Sequence, residues 1–142
     1  MRQAKTWSVV AVLAAAGVLV PRTTWSHGNV APQPVETKGL EPLGEAWRTS
    51  NPYRGNETAV AIGKSAYNQQ CARCHGIGGI SGGLAPDLRS LDKGDEGDKE
   101  YLPAMKDGVF RDGRTLMPKF AGVLSQEAIW AIRAYLETIY VD

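Results

Sequence analysis

Two cysteines and a histidine form the segment of this sequence with the clearest chemical potential. Cys71, Cys74 and His75 lie together in the string CARCH. Thiols three positions apart share one helical turn, where both sulfurs can add across the two vinyl groups of one protoporphyrin. The imidazole that follows can then bind the iron at the centre of that macrocycle. The segment therefore predicts covalent heme attachment through Cys71 and Cys74, with His75 as the proximal iron ligand.

Two other kinds of site use a Cys-x-x-Cys pair, and the rest of the chain favours neither. A structural zinc site needs four ligands, but the sequence has no further cysteine, and its other histidine, His27, lies in a segment of different composition. A thioredoxin-like redox pair belongs in a βαβ unit. Here the flanking sequence predicts a helix before the cysteines and a glycine-rich loop after them.

Beyond CARCH, the chain resembles the class I c-type cytochromes, and more closely the cytochromes c-550 of quinoprotein ethanol dehydrogenase systems. The strings that carry the resemblance are EAWRTSNPYRGNE, AYNQQCARCHG, ISGGLAPDLR and GVLSQEAIWAIR, so it covers nearly all of the chain from His27 onward. The resemblance implies an all-α fold, with three or more helices around one covalently bound heme c. It also implies that the carbonyl of Pro86 accepts a hydrogen bond from the far nitrogen of His75.

Met105 and Met117 are the candidates for the second axial ligand, because Met1 belongs to a segment predicted to be removed. Met105 lies in a predicted helix, where core packing is the ordinary role of methionine. Met117 lies in a predicted loop, and the string MPKF resembles the ligand loop of class I cytochromes, which implies that Met117 binds the iron. Histidine and methionine together would leave the iron no open position. We therefore expect an electron carrier without catalytic residues.

The first residues of the chain have the pattern of a secretory signal peptide. Arg2 and Lys5 precede an apolar run from Val9 to Val20, and cleavage is predicted after Ser26. An uncleaved membrane anchor is the alternative, but a bilayer span needs about 20 apolar residues, and this run has 12. The predicted organisation is a signal peptide (1–26), an N-terminal extension (27–55) and a cytochrome c domain (56–142).

Charge and cysteine usage agree with export to the periplasm. Removing Arg2, Lys5 and Arg22 from the 16 basic residues leaves 13, beside 15 acidic ones, for a formal charge of −2. This balance gives no sign of nucleic-acid binding. Heme attachment would consume both cysteines, so none would be left for a disulfide in an oxidising compartment.

Helices are predicted on both sides of the heme segment. Apolar and small residues at helical spacing predict a helix from about Glu57 to Cys71, in which Gly63 suggests close approach of another backbone. The resemblance identifies that backbone as the C-terminal helix. A final helix is predicted after Ser125, a good N-cap, with Glu127 in its first turn.

The remaining segments have weaker signals. The acidic run from Asp92 to Glu100 is predicted to be a solvated loop, followed by a helix over about Lys99 to Asp107 with Pro103 in its first turn. The proline-rich extension is predicted to be extended, with partial order from about Leu40 onward.

The expected function is single-electron transfer in the periplasm. By resemblance, the donor is a quinoprotein alcohol dehydrogenase carrying pyrroloquinoline quinone (PQQ), and the acceptor is a terminal oxidase or another cytochrome. A general carrier with another donor is one alternative, and a heme sensor or peroxidase-like protein is another. Arg111, Arg114 and Lys119 lie near Met117 in sequence, and their spacing suggests a basic rim on an otherwise acidic protein. Scattered solubilising charge is the alternative interpretation of these three residues.

Overall fold

The computed structural model describes residues 31–142, so the predicted signal peptide lies outside the described part of the chain. Two 3₁₀ turns, Ile77–Gly79 and Leu88–Ser90, lie in the glycine-rich region. No helix within residues 31–142 has the length and hydropathy of a membrane span. The main elements, in chain order, are α1 (Glu57–Gln70), α2 (Ala72–His75), α3 (Gly94–Asp107), β1 (Val109–Arg111), β2 (Arg114–Met117) and α4 (Gln126–Thr138).

Helices α1 and α4 begin at the polar residues that cap them. The Asn56 side chain accepts a hydrogen bond from the Ala59 amide at 3.0 Å, and the Ser125 hydroxyl accepts one from the Ala128 amide at 3.2 Å. Each side-chain oxygen satisfies one amide that has no partner inside its helix. The predicted starts of both helices are therefore confirmed.

Helices α1 and α4 meet where no side chain separates their backbones. A Cβ atom built on Gly63 would lie 1.9 Å from the carbonyl oxygen of Ala131, so only glycine permits this approach. Beside the crossing, the rings of Tyr67 and Tyr135 lie 5.4 Å apart between centroids. The expected contact between Gly63 and the C-terminal helix is confirmed.

Helix α3 starts earlier than the sequence predicted. Most of the acidic run is helical, not a solvated loop, because Asp95 and Glu96 occupy the first turn, where negative charge is favoured. Pro103 lies inside the helix and not in its first turn. Its side chain is exposed, and so is Lys99, whose carbonyl is the one that proline leaves unpaired. Water can therefore solvate that carbonyl.

The N-terminal extension lies against α1 and α4. The amide of Gln33 donates to the side-chain oxygen of Gln70, and the Gln70 amide group donates back to the Gln33 carbonyl, each at 3.0 Å. Further along, the Leu43 amide donates to the Glu127 carboxylate at 2.8 Å. Contacts with the helices are thus already present at Gln33, before the position near Leu40 where order was expected.

A β-hairpin, which the sequence reading did not predict, joins α3 to the final part of the chain. Its turn contains Asp112 at φ 49° and Gly113 at φ 73°, the left-handed pair of a type I′ turn, for which Asp-Gly is a favoured sequence. Met117 ends β2 and pairs with Val109. It therefore lies at the end of a strand and not in a loop.

Candidate heme site

The attachment segment is a single helical turn that continues from the end of α1. Cys71 is the C-cap of α1, and its amide donates to the Tyr67 carbonyl at 2.8 Å. The amides of Cys74 and His75 both donate to the Cys71 carbonyl, at 3.1 and 3.0 Å. Both thiols are free. The structure thus brings Cys71, Cys74 and His75 together on one turn, as the spacing predicted.

The two thiols differ in their environment. Cys74 is exposed, whereas Cys71 is 7% exposed. Burial, with a smaller effect of the neighbouring Cys74, raises the pKa of the Cys71 thiol to about 12. A redox-active Cys-x-x-Cys pair depends on a lowered thiol pKa. The opposite shift here disfavours the thioredoxin-like alternative.

The ring of His75 is oriented by one hydrogen bond. Its Nδ1 atom lies 2.9 Å from the carbonyl oxygen of Pro86. A carbonyl oxygen only accepts, so Nδ1 carries the hydrogen and Nε2 keeps its lone pair. This tautomer presents Nε2 as a metal ligand. The expected contact between His75 and Pro86 is present.

Polar contacts on both sides of Pro86 hold its carbonyl in place. The Ser81 hydroxyl donates to the Ala85 carbonyl at 2.5 Å, and the Arg89 guanidinium pairs with Asp87 at 2.9 Å. Hydrogen bonds from the side chain and backbone of Arg89 hold the pKa of Asp87 well below its usual value. The sequence reading gave these residues no role. The signal it passed over was Asp87, which caps the 3₁₀ turn that follows it.

Tyr67 supports the other end of the attachment turn. Its hydroxyl donates to the Gly76 carbonyl at 2.6 Å. Gly76 has φ 79°, and a Cβ atom there would lie 1.8 Å from the Ile80 carbonyl oxygen. Only glycine can therefore make the sharp exit from α2 immediately after His75.

The two methionines occupy different environments. Met105 is 2% exposed and belongs to the core, in agreement with its predicted packing role. Its backbone carbonyl accepts hydrogen bonds from the amides of Phe120 and Ala121, at 2.8 and 3.2 Å. These bonds tie the segment after Met117 to α3. Met117 itself is partly buried, in contrast to the core position of Met105.

Large apolar side chains are exposed in the two segments that follow His75 and precede Met117. A macrocycle of mostly apolar surface needs apolar side chains on both sides. The donor set also fits a covalently bound heme, with two free thiols on one turn and an imidazole whose Nε2 is free. In the first segment the exposed residues are Ile77 (83%), Ile80 (56%) and Leu84 (76%), and in the second they are Phe110 (64%) and Leu116 (58%).

Among residues 31–142, no three His, Cys, Asp or Glu side chains group in a way that could hold a metal ion.

Known proteins resemble the chain along most of its length. Residues 58–136 match the family described as "Cytochrome C oxidase, cbb3-type, subunit III". Cytochrome c550 of Pseudomonas aeruginosa is 53% identical over 135 residues, which cover 92% of this chain and 93% of that protein.

Two longer proteins match over a shorter region. Quinohemoprotein alcohol dehydrogenase ADH-IIG of Pseudomonas putida is 37% identical over 86 residues, covering 60% of this chain and 11% of the dehydrogenase. Quinohemoprotein alcohol dehydrogenase ADH IIB of the same species is 34% identical over 89 residues, covering 63% of this chain and 12% of that protein. No solved structure gives a significant match.

Proposed function

The chain belongs to the class I c-type cytochromes and is a monoheme electron carrier, and from that premise we propose a specific place for it in alcohol oxidation. It accepts electrons in the periplasm from a PQQ-dependent alcohol dehydrogenase, with ethanol as the expected substrate class, and passes them toward a terminal oxidase. The observation that carries the heme assignment is the His75 ring, held through Nδ1 beside two free thiols. Similarity to cytochrome c550 and to part of two quinohemoprotein dehydrogenases supports the donor class.

Four side chains hold the cofactor in this proposal. The sulfurs of Cys71 and Cys74 would form its thioether bonds, and His75, through Nε2, and Met117, through its thioether, would bind the iron. When bound, the heme supplies an iron that alternates between the ferric and ferrous states and so exchanges one electron. The chain would keep the iron closed to other ligands, because two of its own side chains, His75 and Met117, would bind it.

The stoichiometry follows from the chemistry of the donor. Oxidation of a primary alcohol to an aldehyde releases two electrons and two protons. A one-electron carrier must therefore accept these electrons in two separate encounters, and each alcohol reduces two cytochrome molecules. The protons are released on the dehydrogenase, so the cytochrome needs no general base.

Rapid mixing tests this proposal directly. The oxidised holoprotein, purified from the periplasmic fraction, is mixed with alcohol-reduced quinoprotein ethanol dehydrogenase while heme reduction is followed. We expect fast, saturable reduction, with two cytochromes reduced per ethanol. The mass of the purified protein tests cleavage after Ser26 in the same preparation. If the dehydrogenase does not reduce a protein that a small chemical reductant still reduces, the dehydrogenase is not the donor. The protein would then be a carrier with another donor.

A further inference from the structure

The tip of the β-hairpin places two arginines directly opposite each other. Arg111 on β1 pairs with Arg114 on β2 across the two-residue turn, so both side chains project from the same face of the hairpin. Like charges at directly opposed positions destabilise a hairpin. An arrangement that costs stability in the isolated protein suggests that these guanidinium groups meet an anion elsewhere.

Neither arginine is neutralised within the described part of the chain. The ion pairs formed by residues 31–142 involve Arg54, Arg89, Lys99 and Arg133, but not Arg111 or Arg114. Both side chains are exposed. Acidic residues near the hairpin are Asp112 in the turn and Asp107 at the end of α3. The two guanidinium groups at the tip of the hairpin can therefore bind carboxylates of another molecule.

The arginine pair lies close to the proposed iron ligand along the chain. Arg114 begins β2, and β2 ends at Met117. Arginine is also one of the residue types enriched at protein–protein interfaces.

We propose that the hairpin 109–117 is the surface on which an electron donor with an acidic face docks, with Arg111 and Arg114 binding carboxylates of that face. This inference rests on the proposed function and adds the surface and charge of the partner. Guanidinium groups suit this role because they bind carboxylates through two parallel hydrogen bonds. Docking here brings the donor to the strand that carries Met117.

Charge reversal at the tip tests the proposal against a matched control. The double variant Arg111→Glu with Arg114→Glu is compared with Lys38→Glu with Lys64→Glu, which changes the net charge equally at exposed positions on the extension and α1. In rapid mixing with the reduced dehydrogenase at low salt, we expect the hairpin variant to lower the second-order rate constant about tenfold or more. The control should change it less than about twofold. The difference should nearly vanish near 1 M salt, where screening acts over about 3 Å.

A second measurement keeps failure of the docking surface separate from failure of the proposed donor. The reduced proteins are oxidised by ferricyanide, an anion, and by tris-phenanthroline cobalt(III), a cation. We expect the hairpin variant to react more slowly with the anion and faster with the cation than the control does. Equal rates for the two variants, with either the dehydrogenase or the small ions, would overturn the docking surface. If wild-type protein is not reduced by the dehydrogenase but the small-ion rates shift as expected, only the donor assignment fails.

Discussion

His75 has one ring nitrogen committed to a carbonyl and one available for the iron, and this asymmetry governs the site at the residue scale. A hydrogen bond from Nδ1 to Pro86 makes Nε2 a stronger donor, which favours ferric iron. The thioether of Met117, the second ligand in the proposal, would be soft and would favour ferrous iron, raising the potential. The balance between these two ligands would therefore set the reduction potential of the carrier.

Replacing Met117 tests the second ligand. In Met117→Ala the iron should lose its sixth ligand, so the reduced protein should change from binding little carbon monoxide to binding about one equivalent. The absorption band of a sulfur–ferric iron bond should disappear, and the reduction potential should fall. Carbon monoxide titration of the reduced protein provides the measurement.

The other methionine supplies the control for that experiment. Met105→Leu removes the sulfur from a core position while nearly conserving volume, so it should leave the iron closed. Ready binding of carbon monoxide by the wild-type protein would instead support the sensor or peroxidase-like alternative.

At the scale of elements, local signals located some helices and missed others. The caps Asn56 and Ser125 lie next to apolar residues at helical spacing, so the sequence predicts both α1 and α4. The start of α3 was missed because Asp98 looks solvated in sequence, whereas it is fully buried and paired with Arg133 at 2.6 Å. Arg133 lies 35 positions away from Asp98 in sequence, and no local sequence pattern indicates that the two residues pair. The hairpin was different, since its Asp-Gly turn was visible in the sequence but was not used as a signal, and Met117 was placed in a loop.

Gly63 provides a test of the contact between α1 and α4. Replacing glycine by alanine inside a helix normally raises the free energy of unfolding by about 1 kcal/mol. Here the added carbon would lie 1.9 Å from a backbone oxygen, so Gly63→Ala should instead destabilise the holoprotein by about 1–3 kcal/mol. Denaturant unfolding followed by heme absorbance gives the free energy.

Gly82 is the matched control for that substitution. It has no heavy atom within 4 Å of a built Cβ and needs no left-handed backbone. Gly82→Ala should therefore change the free energy of unfolding by less than about 0.5 kcal/mol. Equal effects of the two substitutions would contradict the close contact.

At the scale of the whole molecule, polar side chains join the extension to the helical core. Asp98 on α3 is fully buried and accepts hydrogen bonds from the Asn51 amide at 2.8 Å and from the Arg133 guanidinium at 2.6 Å. The Gln126 side chain accepts from the Arg48 amide at 2.6 Å. Each bond links residues far apart in sequence, so the path of the extension could not be read from the sequence alone. The extension is thus an integral part of the fold.

One of these contacts should make stability depend on pH. Burial opposes ionisation of Glu127, but hydrogen bonds from the Leu43 amide, its own amide and Ser125 outweigh this, and the pKa is lowered from 4.5. A carboxylate with a lowered folded pKa stabilises the protein above its unfolded pKa, and that contribution is lost as the pH falls through the folded value. Glu127→Gln should therefore lower the unfolding midpoint at neutral pH and weaken its decline below about pH 5.

Thermal unfolding across this pH range measures the effect. Glu45→Gln removes an exposed carboxylate from the same extension and serves as the control. If both variants kept the wild-type pH profile, the hydrogen bond from the Leu43 amide to Glu127 would not contribute to the pH dependence of stability.

The pairing of Gln33 with Gln70 also bears on protein engineering. Gln70 immediately precedes Cys71, so this contact of the extension lies beside the attachment turn. A polypeptide fused ahead of residue 31 would start its linker near this turn and not at the far end of the molecule. A short N-terminal linker would consequently hold a fused redox domain close to the heme segment, whereas a bulky purification tag at the same end would crowd it.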